Sequence, residues 1–92
     1  MERLPDGLIA YRRTPEFNQD TVPAGLQKAH STKAGTWALI HVLEGELLYR
    51  IFDPASETVL IPGKPGLVRP EQLHEVQPMG PVRFYVEFHA AR

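Results

Sequence analysis

The 92-residue chain contains no cysteine, so it has no disulfide framework, no thiolate metal site and no thiol nucleophile, and imidazoles and carboxylates remain as candidate metal ligands. A reducing compartment suits such a chain. It also lacks any apolar run approaching the ~20 residues of a membrane span, and Glu2, Arg3 and Asp6 fall where a signal peptide would need apolar residues. A cytoplasmic protein with no membrane partner is the expectation. Charge of one sign is lacking too. Ten Lys plus Arg against eleven Asp plus Glu leave a net charge of -1, with no basic stripe, so nucleic acid is not expected as a partner. A chain this short buries roughly 60 to 65% of its unfolded surface. That is one core and one domain, residues 1–92, with no second lobe for a nucleotide.

Nine prolines and seven glycines punctuate what is present. Short alternating or apolar segments recur at intervals of about eight residues with no 3.6-residue stripe, which is an all-β pattern. The expected strands are Gly7 to Arg13, Gly25 to Ser31, Thr36 to Leu43, Glu46 to Phe52, Glu57 to Ile61, Gly66 to Arg69, Leu73 to Gln77 and Val82 to His89. Lys33-Ala34-Gly35 reads as a hairpin turn, Asp53-Pro54 as turn initiation, and Pro62 to Gly66 and Pro78 to Pro81 as loops. In the segment Trp37 to Leu43, Trp37, Leu39, His41 and Leu43 alternate with Ala38, Ile40 and Val42, so both faces ask for burial. Placing the first row inside leaves Ala38, Ile40 and Val42 to be covered by the N-terminal segment up to Thr21 or by a second copy of the chain, and a homodimer is expected. The last strand alternates cleanly, Phe84, Val86 and Phe88 on one face and Tyr85, Glu87 and His89 on the other.

Four histidines and eight glutamates raise the prospect of a metal site. No H-E-x-x-H, H-x-H or Gly-rich phosphate loop is present, so the case rests on geometry. A hairpin at Lys33 to Gly35 would set His30 opposite Trp37, on the face of His41. His74 follows the turn Pro70-Glu71-Gln72-Leu73, which would aim it into a barrel mouth. Two His and one carboxylate suit Zn, Fe or Ni and leave positions open for water or substrate. Each candidate also has a plainer explanation: His30 as a turn residue, His41 as a hydrogen-bonded core histidine, Glu87 as part of a solvated face with Tyr85 and His89, and Trp37 as core. Ser31 and Ser56 lie in no Gly-x-Ser-x-Gly elbow, which argues against a hydrolase triad.

The succession Tyr11 to Phe17, Thr21-Val22-Pro23, His30, Lys33 to Trp37, Ile40 to Gly45, Pro70 to His74 and Phe84 to Phe88 resembles the TehB/YeaR-like cupin domain along almost the whole chain. The resemblance implies a conical jelly-roll β-barrel of about eight short antiparallel strands. In typical cupins a His-x-His pair and a Glu from one motif join a His from a second around a metal. Here His30 falls near the first motif with Ser31 and Thr32 beside it, Ala38 stands where the Glu would be, and His74 fits the second motif. His41 or Glu87 would complete the set. The expected function is therefore binding of one divalent transition metal (Zn, Fe or Ni) through His30, His74 and His41 or Glu87, in metal or small-oxyanion stress of the tellurite or nitrite type. Methyl transfer is not expected, for want of a Gly-rich strand-turn-helix. Two alternatives stand beside it: a metal-dependent oxygenase or isomerase, and a metal-free module binding a small ligand.

Overall fold

The computed structural model describes residues 3–91. Six strands are present there: β1 (Leu8–Arg13), β2 (Phe17–Asn18), β3 (Trp37–Phe52), β4 (Ala55–Leu60), β5 (Gly66–Val68) and β6 (His74–Ala91). The fold is all-β and antiparallel, with the sheet order β1-β6-β3-β4, β2 added to β6 and β5 to β3. A single 3-10 turn, Ala24–Gln27, replaces the strand expected over Gly25 to Ser31. No helix among the described residues is long and apolar enough to cross a membrane.

The expected segmentation is too fine in two places. Thr36–Leu43 and Glu46–Phe52 fuse into the 16-residue β3, and the Pro78 to Pro81 segment lies inside the 18-residue β6. Bulges explain both. Pairing of β3 with β6 slips between Val42 and Glu44 and again between Gly45 and Leu47, so the ladder bends without breaking and the prolines sit at the irregularity. Gly45 is the pivot: its φ is +79°, and a Cβ there would run into the carbonyl oxygen of Pro81.

The bend is large. Eighteen residues of straight strand would reach about 59 Å, whereas the longest dimension of the molecule is 36 Å. Val76 and Phe88, twelve positions apart on β6, consequently line one cavity. The paired β3–β6 ribbon folds over on itself and encloses its inner face.

Register decides which row of β3 is inner. Ala38, Ile40 and Val42 pair with Phe88, Val86 and Phe84, and all three β3 residues are buried. Trp37, Leu39 and His41 pair with His89, Glu87 and Tyr85 on the outer face, and Leu43 is exposed. The expectation is thereby inverted. Small and β-branched side chains fit between the aromatic residues of β6, where a row containing Trp37 would overfill the interior. Leu47, Tyr49, Leu60, Val68 and Val82 complete the core, and Phe17 meets the fully buried Phe84 edge-on at a ring separation of 5.6 Å. Outside, Arg50 bridges Glu57 and Glu75, and Arg83 bridges Glu16 and Glu44.

Candidate functional site

Four residues before β6, the chain turns at Pro70, and Glu71 adopts a φ of +62° while its amide donates to the Thr32 carbonyl. This delivers His74, which pairs with Ile51 of β3 at the start of β6, beside His30 on its other side. The two residues exchange backbone hydrogen bonds, His30 N to His74 O at 3.0 Å and His74 N to His30 O at 2.9 Å, and their rings lie 4.1 Å apart at an angle of 56°. His30 is thus paired with His74, not with Trp37.

Both imidazoles are held in the same way. Nδ1 of His74 lies 2.9 Å from the carbonyl of Gln72, and Nδ1 of His30 lies 2.9 Å from the carbonyl of Lys28. A carbonyl only accepts, so each Nδ1 carries a proton, and in the neutral ring Nε2 is then the nitrogen with the lone pair. Among the described residues no fully buried side-chain nitrogen lacks a partner, so these unpartnered Nε2 atoms open toward accessible space. His74 is only 4% exposed. Burial pushes its pKa below the ordinary range against the opposing effect of the Gln72 carbonyl, and nearby His30 adds to the depression, so His74 is neutral at physiological pH. Tyr49 stands edge-on to it at 5.8 Å and donates its hydroxyl proton to the Leu67 carbonyl at 2.6 Å, tying this wall to β5.

The space they face is a cavity of about 480 Å³ between the two arms of the folded ribbon. Its walls are chiefly apolar, with Phe17, Ile40, Val68, Val76, Val86 and Phe88 prominent, and no Asp or Glu lines it. Arg12 and Lys33 are exposed cavity-lining residues. Arg12 faces this way because of a bulge in β1. Ala10 pairs with His89 and Arg12 with Phe88, so Tyr11 is the extra residue and Arg12 shares the inner face of Phe88. Arg13 pairs with Glu87 and lies outside, its guanidinium 4.8 Å from the centre of the Tyr85 ring. The sequence reading did not single out Arg12; an Arg-Arg pair on a strand, of which one member must point inward, was the available clue.

His41 and Glu87 lie on the outer face, separated by the sheet from His30 and His74. Glu87 Oε1 accepts from Nε2 of His89 at 2.8 Å and from Nε2 of His41 at 3.4 Å, and His41 stacks on Tyr85 at 4.9 Å. The hydrogen bond from His89, followed by that from His41, holds the Glu87 carboxyl below its usual range despite partial burial. These two histidines use Nε2 as donor, the reverse of the inner pair. The four expected ligands therefore divide into two clusters, and among the described residues no group of three or more His, Cys, Asp or Glu is placed to hold a metal ion. The inner donor set is two nitrogens, and Ala38 is among the apolar residues that line the cavity with them.

Comparison with known proteins places this geometry. The chain is 32% identical over 86 residues to the probable S-adenosyl-L-methionine-dependent methyltransferase TehB of Haemophilus influenzae, spanning about 28% of that protein's length. It is 26% identical over 101 aligned positions to the uncharacterized protein YeaR of Escherichia coli K12, covering 99% of this chain and 85% of that one. Among solved structures, one from E. coli K12 superposes with a TM-score of 0.92 at 25% identity over essentially the full length of both chains. The crystal structure of TehB from H. influenzae gives 0.84 at 26% identity, over 94% of this chain and 32% of that one. The iron(II) form of HppE, at 18% identity and a TM-score of 0.61 over 79% of this chain, shares the cupin-like fold. The family model of the TehB-like domain matches residues 12–86, and the chain belongs to the TehB-like domain family.

Proposed function

We propose that this domain is a small-molecule-binding module whose site is the cavity inside the folded ribbon, with the His30–His74 pair, His74 buried and His30 half-buried, as its polar end. The observation that carries the proposal is the matched tethering of the two rings. Each Nδ1–H is spent on the carbonyl two residues earlier, leaving the two Nε2 atoms beside an apolar space of about 480 Å³. Such a site accepts hydrogen bonds from a ligand hydroxyl or amide while burying its apolar body. The methyltransferase name belongs to relatives of which this chain spans about 28%, and is not carried over.

The test is methyl-resolved NMR of the full chain against a panel of small aromatic and aliphatic alcohols, amides and acids. Binding should move the methyl signals of Ile40, Val68, Val76 and Val86, and His74→Phe should weaken it. Shifts confined to the outer face, or none, would reject the proposal.

One observation favours metal at the same place. A ligating imidazole characteristically donates its other N–H to a carbonyl or carboxylate, as both rings do here. Two protein nitrogens do not complete a site, so this second reading requires the remaining positions of a Zn, Fe or Ni ion to be filled by the bound molecule. Elemental analysis of tag-free protein decides it: near-stoichiometric metal lost in His74→Ala supports the ion, and absence of metal after growth in supplemented medium rejects it. A cytoplasmic stress role in handling oxyanions, and an oxygenase or isomerase built on such an ion, both depend on that result. The homodimer is proposed now through the outer face of Trp37 and Leu39. Leu39→Arg should raise the monomer fraction in sedimentation velocity, and an unchanged profile would reject that interface.

A further inference from the structure

We infer that the ligand is a small organic monoanion, a carboxylate with an apolar body, whose charged end is held at the mouth by Arg12 and Lys33. The inference rests on the cavity being the binding site and adds the chemical class of its occupant. Three observations converge on it. First, the cavity carries two cations and no carboxylate, an imbalance in a chain whose acids outnumber its Lys and Arg.

Second, the cation at position 12 is there by construction. Without the bulge at Tyr11, Arg12 would fall opposite Glu87 on the outer face; with it, Arg12 falls opposite Phe88 and lines the cavity, and Arg13 takes the place beside Glu87. A bulge that inverts the direction of one side chain leaves β1 with an unpaired residue, and this one exchanges a Glu87 partner for a position with no acid. Third, Arg12 and Lys33 make no salt bridge with a described residue, whereas Arg50 and Arg83 each bridge two glutamates. The mouth cations are left for an external anion.

The gradient of polarity then orients the ligand. The exposed cations lie at the open end, the apolar side chains of Ile40, Val86 and Phe88 line the middle, and His74 is buried. A carboxylate at the mouth keeps part of its hydration and gains charge-assisted hydrogen bonds from a guanidinium suited to hold it through two oxygens. Its apolar body displaces water from the walls.

Isothermal titration calorimetry of the full chain tests this with three acids, hexanoate, benzoate and 1-naphthoate, and their neutral amides. The acids should bind about tenfold tighter than the amides at low salt, in keeping with a charge-assisted contact at an exposed rim. Arg12→Gln should remove most of that preference without changing amide affinity. Arg13→Gln, one residue away on the opposite face, should leave both classes unchanged. Equal binding of acids and amides, or equal losses in the two arginine variants, would overturn the anion assignment while leaving the cavity as a binding site. Failure of every probe of both classes to bind would overturn the cavity proposal and this inference together.

Discussion

Replacing Val42 with glutamate sets a carboxyl group in the core opposite Phe84, at a position 5% exposed and away from the cavity. Three costs follow. The apolar contacts of valine are lost, at about 1.5 kcal/mol; a neutral carboxyl is buried without a designed partner, at about 2 kcal/mol. The third cost depends on pH. Burial holds the new carboxyl protonated, and keeping it so at about pH 7.5, some three pKa units above its ordinary ~4.3, costs about 4 kcal/mol. The combined penalty of about 7.5 kcal/mol lies within the roughly 5 to 14 kcal/mol expected of a chain this size and is enough to unfold it toward the lower end of that range. Because the raised pKa belongs to the folded state, the folded state binds the proton more tightly, and the penalty grows as pH rises above ~4.3. Acidification to about pH 5 should therefore return about 3 kcal/mol. Urea titrations followed by circular dichroism at the two pH values, with Leu43→Glu beside them, measure all of this. The exposed neighbour should cost within about 1 kcal/mol at either pH. A Val42→Glu protein as stable as wild type, with Leu43→Glu unfolded, would refute the inside–outside assignment of β3.

Two further predictions concern the parts that shape and close the site. Gly45→Ala should destabilise the domain by at least about 2 kcal/mol in urea titrations, since a left-handed φ and the Pro81 carbonyl both oppose a side chain; an unchanged midpoint would mean that the β3–β6 bend does not depend on this approach. His74 has its folded pKa pushed below the ordinary ~6.5 by burial. The unfolded chain therefore takes up the proton first, and stability should fall as pH drops below about 6.5 toward the folded value. His74→Gln should remove that component of the pH profile, and an identical slope in the variant would reject it.

The all-β class was legible because proline and glycine closed every apolar segment before a helical period could develop, and the clean alternation of Phe84 to His89 correctly separated core from outer face. His74 was legible for a related reason: a proline turn ahead of a strand announces that the first strand residue has been positioned. The phase of Trp37–Leu43 was not, because both rows are apolar and hydrophobicity cannot rank them; the choice is made by partners on β6 that lie far along the chain, Phe84 for Val42 and Phe88 for Ala38. Strand count failed where a glycine read as a break acts as a hinge within a continuous ladder. The pairing of His30 with His74 depends on an isolated bridge between a loop residue and the first residue of β6, and the inward turn of Arg12 on a one-residue bulge. Neither leaves a periodic trace, so the sequence placed His41 and Glu87 with the inner histidines when the sheet separates them.

The most direct test is long-range ¹H–¹⁵N NMR of the imidazole nitrogens at neutral pH, before and after adding the tightest binder of the acid and amide panel. His30 and His74 should both show the Nδ1–H tautomer with Nε2 unprotonated, and the ligand should shift those two Nε2 signals while leaving His41 and His89 in place. An Nε2–H tautomer at His74, or ligand-induced shifts at His41 and His89 without any at the inner pair, would contradict a binding site inside the ribbon.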